Sequence, residues 1–154
     1  MSPFLIALVG MWLTSSPSPV GTVEAFHRAL ASDDSARALT LLAEDVVVFE
    51  SGHAELSREE YEREHLAIDI EFSKTTERAI ADRSHRVVGD QAWVLTRAEV
   101  SGTFRDRPIH SMLNETMLLH RHDDSWRITH IHWSTHTLLE SKPESAPEAE
   151  TTEQ

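Results

Sequence analysis

The segment Trp126 to His136, WRITHIHWSTH, constrains the fold more than any other stretch. Trp126, Ile128, His130, His132, Ser134 and His136 fall at every second position, and in a β-strand such side chains share one face. Arg127, Thr129, Ile131, Trp133 and Thr135 make the other face, which also carries large apolar groups. A strand that expects cover on both sides belongs in the interior of a sheet, here with three imidazoles along one face. Three more segments of strand character precede it, near Arg78 to Val88, Gln91 to Phe104 and Ile109 to Arg121. Turn formers separate the four, at Gly89-Asp90, Arg105-Asp106-Arg107-Pro108 and His122-Asp123-Asp124-Ser125. Long strands joined by tight turns predict an antiparallel meander.

The earlier part of the chain has the period of helices instead. Beyond the breakers Pro17 and Pro19, Val23, Phe26 and Leu30 recur at helical spacing through Thr22 to Ala31, and Asp33 or Asp34 can cap a second short helix. Val46-Val47-Val48-Phe49 reads as a first strand that ends at Glu50, Ser51 and Gly52. Ser57-Arg58-Glu59-Glu60 fits a capping box, because the Ser57 and Glu60 side chains can each satisfy an orphan amide at a helix start. From there Tyr61, His65, Ile68, Asp69 and Phe72 fall on one stripe of a single helix, so His65 and Asp69 point toward the core with the apolar residues. Helices first and a strongly curved antiparallel sheet afterwards is an α+β arrangement, with the helices packed on one face.

At 154 residues the chain predicts one domain, spanning about residues 20–138. Fourteen Lys and Arg against 26 Asp and Glu leave a net charge of −12, which repels phosphate backbones and argues against nucleic acid as a partner. Residues 139–154 are acidic, nearly devoid of apolar side chains and predicted to be a solvated tail. The run Phe4 to Leu13 has the length of a signal-peptide core and is too short to span a bilayer, which predicts a periplasmic or secreted protein. No Lys or Arg precedes that run, and an amino-terminal helix packed on the domain is the other reading. The absence of Cys removes disulfides, thiolate metal sites and a cysteine nucleophile, so any metal would need His and carboxylate ligands.

EAFHRALASDDSARALTLLAEDVVVFESG, SREEYEREHLAIDIEF and ETMLLHRHDDSWRITHIHWSTH together give the chain a resemblance to the NTF2-like superfamily. Within it the chain is similar to the SnoaL-like and DUF4440-type small bacterial proteins, over about Val20 to Thr137. The resemblance implies an α+β cone around a pocket, and a homodimer formed through the outer face of the sheet. Ile131 and Trp133, opposite the histidines, suit that outer face. Members of the superfamily serve as isomerases, cyclases, dehydratases or non-catalytic binding modules, so the resemblance fixes no reaction. No catalytic motif of those enzymes can be placed residue by residue here.

The candidate site follows from the stripe and the last strand. If the helix crosses the concave face, His65 and Asp69 converge with His130 and His132. As an acid–base set, His65 backed by Asp69 is the base and His132 or His130 the acid, in a pocket where Tyr61, Glu50, Glu115 and His130 contact a small-molecule ligand. Isomerase, cyclase or lyase chemistry would suit such a set, and so would binding without turnover. The competing reading is a metal site for Zn or Cu built from His65, Asp69, His130 and His132. In the bland alternative Asp69 merely orients His65, and His130 and His132 are hydrogen-bonded wall residues. Glu115, among Leu113, Met117 and Leu119, is either a pocket acid or the partner of Arg97 or Arg127.

Overall fold

Ser18 starts the first helix: its side chain accepts a hydrogen bond from the Gly21 amide, and Pro19 follows at a position where a missing N–H costs nothing. Pro19 therefore begins the helix that its ring was expected to exclude. The computed structural model describes residues 18–138, and the expected signal peptide and acidic tail lie outside them. Helix α1 (Pro19–Ala31) turns at Asp33 into α2 (Ser35–Leu41), which Asp34 caps through the Arg37 amide. Strand β1 (Leu42–Glu50) and the short β2 (His53–Glu55) form a hairpin, turned by Ser51 and Gly52 with φ of 50° and 85°. Positive φ at both turn residues matches the right-handed twist of the flanking strands. This hairpin carries Glu55 back over the domain, on a short strand beyond those expected from the sequence.

The stripe from Tyr61 to Phe72 belongs to two helices, α3 (Arg58–Glu64) and α4 (Leu66–Thr75). The expected Ser57 cap is present, its hydroxyl accepting from the Glu60 amide at 3.1 Å. The break comes at His65, whose ring is tied on both sides to carboxylates of the β1–β2 hairpin. Those tertiary bonds override the helical period of the sequence. Four long strands complete the chain: β3 (Thr76–Val88), β4 (Gln91–Phe104), β5 (Arg107–His122) and β6 (Ser125–Thr137).

The six strands form one curved sheet in the order β2-β1-β6-β5-β4-β3. The meander is antiparallel as expected, whereas β1 joins β6 in parallel. The helices cover the inner face, and Val23, Phe26, Val46, Val48, Tyr61 and Ile131 are fully enclosed between the two layers. Burial of each such side chain contributes about 1.5–3 kcal/mol. The join between α4 and β3 lies directly on β4: a Cβ at Gly102, whose φ is 147°, would stand 2.5 Å from the Thr75 carbonyl oxygen. Only glycine fits there. Among the described residues no helix is long and apolar enough to cross a membrane.

The last strand differs from its reading in one decisive respect. Leu118 pairs with His130 and Leu119 with Ile128, so Thr129 is an extra residue in a β-bulge. Strict alternation fails there. Trp126 and Ile128 face the core, and beyond the bulge the core-facing residues are Ile131 and Trp133. His130 and His132 consequently lie on the outer face, where Phe49 packs edge-on against both rings. The expected placement of Ile131 and Trp133 on the outer, dimer-forming face is reversed by the same bulge.

Candidate functional site

One row of cross-strand neighbours organises the inner face: Glu50 on β1 opposes Trp133 on β6, which opposes Glu115 on β5, then Thr96 on β4 and Arg83 on β3. Charged residues stand at both ends and in the middle of this row. A cavity of about 620 Å³ lies between it and helices α1 and α4. Glu50, Asp69, Phe72, Arg78, Val100 and Trp133 are among its lining residues. A second, larger pocket of about 1100 Å³ runs past Leu42, Arg58, His120 and Arg127, and Glu50, Asp69 and Glu115 do not line it.

The first cluster centres on His65. Its Nε2 lies 2.9 Å from Glu50 and 3.5 Å from Asp69, and its Nδ1 lies 2.9 Å from Glu55. A neutral imidazole has one N–H, so carboxylates at both nitrogens hold the ring as an imidazolium. The Glu50 hydrogen bond, opposed by burial and aided by Asp69 and Glu55, lifts its pKa to about 9. Tyr61, buried on α3, donates its hydroxyl to Asp69 Oδ2 at 2.7 Å. Burial pushes the Asp69 carboxyl up to about 7, against the opposing pull of His65 and the Tyr61 hydroxyl. Burial and the neighbouring Asp69 keep the Tyr61 phenol protonated well beyond its ordinary range. Asp69 thus faces the cavity with one oxygen tied to Tyr61 and the other only loosely held.

The second cluster centres on Glu115, which is almost completely enclosed. His27 on α1 and the Trp133 indole donate to Oε2 at 2.7 and 2.8 Å, and Arg78 on β3 donates to Oε1 at 2.8 Å. Burial alone would raise the Glu115 pKa, but His27, Arg78 and Trp133 hold it down at about 2. Burial lowers the Arg78 pKa in turn, with Glu115 opposing. Its salt-bridge partner is Arg78 in place of the expected Arg97 or Arg127, because Arg97 points outward and Arg78 reaches across from the sheet edge.

The structure brings together Glu50, Tyr61, His65 and Asp69 and holds Glu115 apart from them. It does not bring His130 or His132 to this place. The His130 Nδ1–H donates to the Val47 carbonyl at 2.9 Å, and His132 is exposed. The acid role of His132 or His130, the ligand contact of His130 and the four-residue metal set of His65, Asp69, His130 and His132 are therefore corrected: the sheet separates the two pairs. The base role of His65 is corrected as well, since Glu50 and Glu55 hold both ring nitrogens protonated. Among the described residues one group has ligand atoms within 4.8 Å of one another, Glu50, His65 and Asp69. Glu55, His27 and Arg78 are site residues that the sequence reading missed. His27 and Arg78 left a trace, at the flank of the apolar stripe of α1 and in the Thr76, Arg78, Ile80 alternation. Glu55, ahead of the Ser57 cap, left none.

This ionisation pattern predicts a fold sensitive to alkali. His65 carries its proton up to about 9 when folded, against 6.5 ordinarily, so its stabilising contribution is whole below about pH 6.5 and is lost as pH rises through about 9. The shift corresponds to about 3 kcal/mol at most. Melting temperature is expected to fall by about 10 °C between about pH 6 and pH 10, with a flatter profile in His65→Gln. A wild-type profile as flat as that of the variant would contradict the ion-pair assignment.

Comparison with known proteins places this geometry. The sequence model of the SnoaL-like domain matches residues 21–137. A comparison with curated proteins found no match. The crystal structure of a candidate ketosteroid isomerase from Shewanella frigidimarina superposes with a TM-score of 0.72 at 31% identity, over 78% of this chain and 98% of that one. A candidate dehydratase of the NTF2-like family from Streptomyces avermitilis superposes with a TM-score of 0.65 at 19% identity, over 77% and 92% of the two chains. The CaMKII hub of S. rosetta, with a TM-score of 0.63, 18% identity and coverage of 76% and 93%, shares the fold. With a family match across the whole described domain, the chain belongs to the SnoaL-like family of the NTF2-like superfamily.

Proposed function

We propose that the protein binds a small, largely apolar organic molecule in its inner cavity and moves a proton on it, in the manner of an isomerase. The observation that carries this reading is the position of Asp69. Its carboxyl stands in the wall of a cavity of suitable size, with Oδ2 engaged by Tyr61 and Oδ1 at 3.5 Å from the imidazolium of His65. Oδ1 is the atom that takes the proton from a carbon acid and returns it to another position of the same molecule. His65 stabilises the ionised carboxylate, while Glu50 and Glu55 fix its ring. The test is deuterium exchange followed by NMR. Simple ketones and a β,γ-unsaturated ketosteroid, chosen because of the name of the Shewanella protein, are incubated with enzyme in D₂O. Enzyme-dependent exchange or double-bond migration supports the reading, and its absence across that panel sinks it.

A narrower metal reading draws on the closeness of Glu50, His65 and Asp69. Zn or Cu bound there would displace the proton on His65 Nε2. Near one metal per chain in untagged protein, lost in Glu50→Gln, would establish it; trace metal indifferent to that substitution would end it.

The outer face of the sheet supports association of two copies. Phe49, Leu95 and Leu118 are each at least 42% exposed there, beside Trp93. Light scattering is expected to give twice the chain mass, with Leu118→Glu shifting the population to monomer. A monomeric wild type would refute this.

A further inference from the structure

The two clusters make the cavity unlike at its ends, and the positive end has an unused donor. Arg78 has five N–H groups, of which only one on Nη2 is engaged, by Glu115. Its Nε is buried without a partner, and Nη1 has none among the described residues. The side chain is 20% exposed, and Arg78 lines the cavity. Around it the lining residues Arg28, Arg78 and Arg83 outnumber the carboxylates of Glu24 and Glu115. Between this end and Asp69 the wall is mainly apolar, with Leu30, Phe72, Ile80, Val100 and Leu113 beside the hydroxyls of Ser73, Thr76, Ser111 and Thr135.

We infer that the cavity selects an organic carboxylate, whose carboxylate group meets Arg78 while its apolar body extends toward Asp69. A guanidinium offers a planar fork that a carboxylate matches with two parallel hydrogen bonds, and a low-dielectric wall strengthens both. The register of the sheet sets the length. Glu50 and Glu115 stand two strands apart, which puts about 10 Å between the two ends of the site. An aryl or alkyl acid of several carbons spans that gap. This inference rests on the acid–base reading only for what Asp69 does to the far end of the ligand.

Isothermal calorimetry on the full chain with phenylacetate, phenylpropionate and hexanoate, each beside its primary amide, tests the recognition directly. The acids are expected to bind at least about tenfold more tightly than the amides. In Arg78→Lys, which keeps a cation beside Glu115, that preference should fall about tenfold while amide binding is unchanged. Equal binding of acids and amides, no binding of any acid at millimolar concentration, or inorganic phosphate competing as well as the acids would overturn the inference. If Arg78→Lys does not fold, the wild-type comparison decides alone. Acids that bind through Arg78 without any proton exchange would leave the recognition standing and remove the acid–base role. Ketones that exchange at Asp69 while acids bind no better than amides would do the reverse.

Discussion

Glu115→Ala is expected to destabilise the protein by about 3–5 kcal/mol. Glu115 is the common acceptor for three donors from three different elements: His27 on α1, Arg78 on β3 and Trp133 on β6. Removing it leaves the half-buried guanidinium of Arg78 uncompensated and strips the indole and imidazole of their acceptor. The variant should melt on the order of 10–20 °C below wild type, with an unchanged denaturant slope. The control is the double variant Glu115→Met/Arg78→Met, which removes both charges and fills the space. It should recover a substantial part of the loss, since an apolar pair needs no desolvation of ions. A loss below about 1 kcal/mol in Glu115→Ala would mean that the network does not persist in solution.

Asp69→Asn is expected to reduce enzyme-dependent proton exchange by about 10²–10⁴-fold while leaving ligand affinity nearly intact. Asparagine keeps the volume and can accept the Tyr61 hydroxyl, so the cavity wall stays in place. It cannot take a proton. In the wild type the exchange rate should rise through about pH 7 as the carboxyl ionises and fall again through about pH 9 as His65 loses its proton. Those two limbs belong to the coupled pair and not to either residue alone. Loss of affinity as large as the loss of exchange would instead make Asp69 a ligand-binding group.

Much of the architecture was readable because its signals are local. The Ser57 cap, the Asp34 cap and the turn at Gly89-Asp90 depend on residues within a few positions of one another, and β4 has the bounds that its alternation predicts. Tyr61, His65 and Asp69 came together for the same reason, being one helical turn apart or nearly so, and Glu50 was reachable as the last residue of a strand. The unread part depends on distant contacts. The helix breaks at His65 because Glu50 and Glu55 hold its ring, and Glu55 reaches it from a strand only three residues long. Arg78 meets Glu115 across an intervening strand, a pairing that no spacing in the sequence encodes. His130 and His132 were misplaced by a single unpaired residue.

That residue, Thr129, gives the closing strand a parity that one codon can change. Insertion or loss of a residue at this point would exchange the two sets of side chains beyond it, sending Ile131 and Trp133 to the solvent and carrying His130 and His132 into the cavity. A relative lacking the extra residue would present an imidazole-lined chamber from nearly the same sequence. The chemistry available to this strand is thus set less by which residues it contains than by whether their count before Trp133 is odd or even.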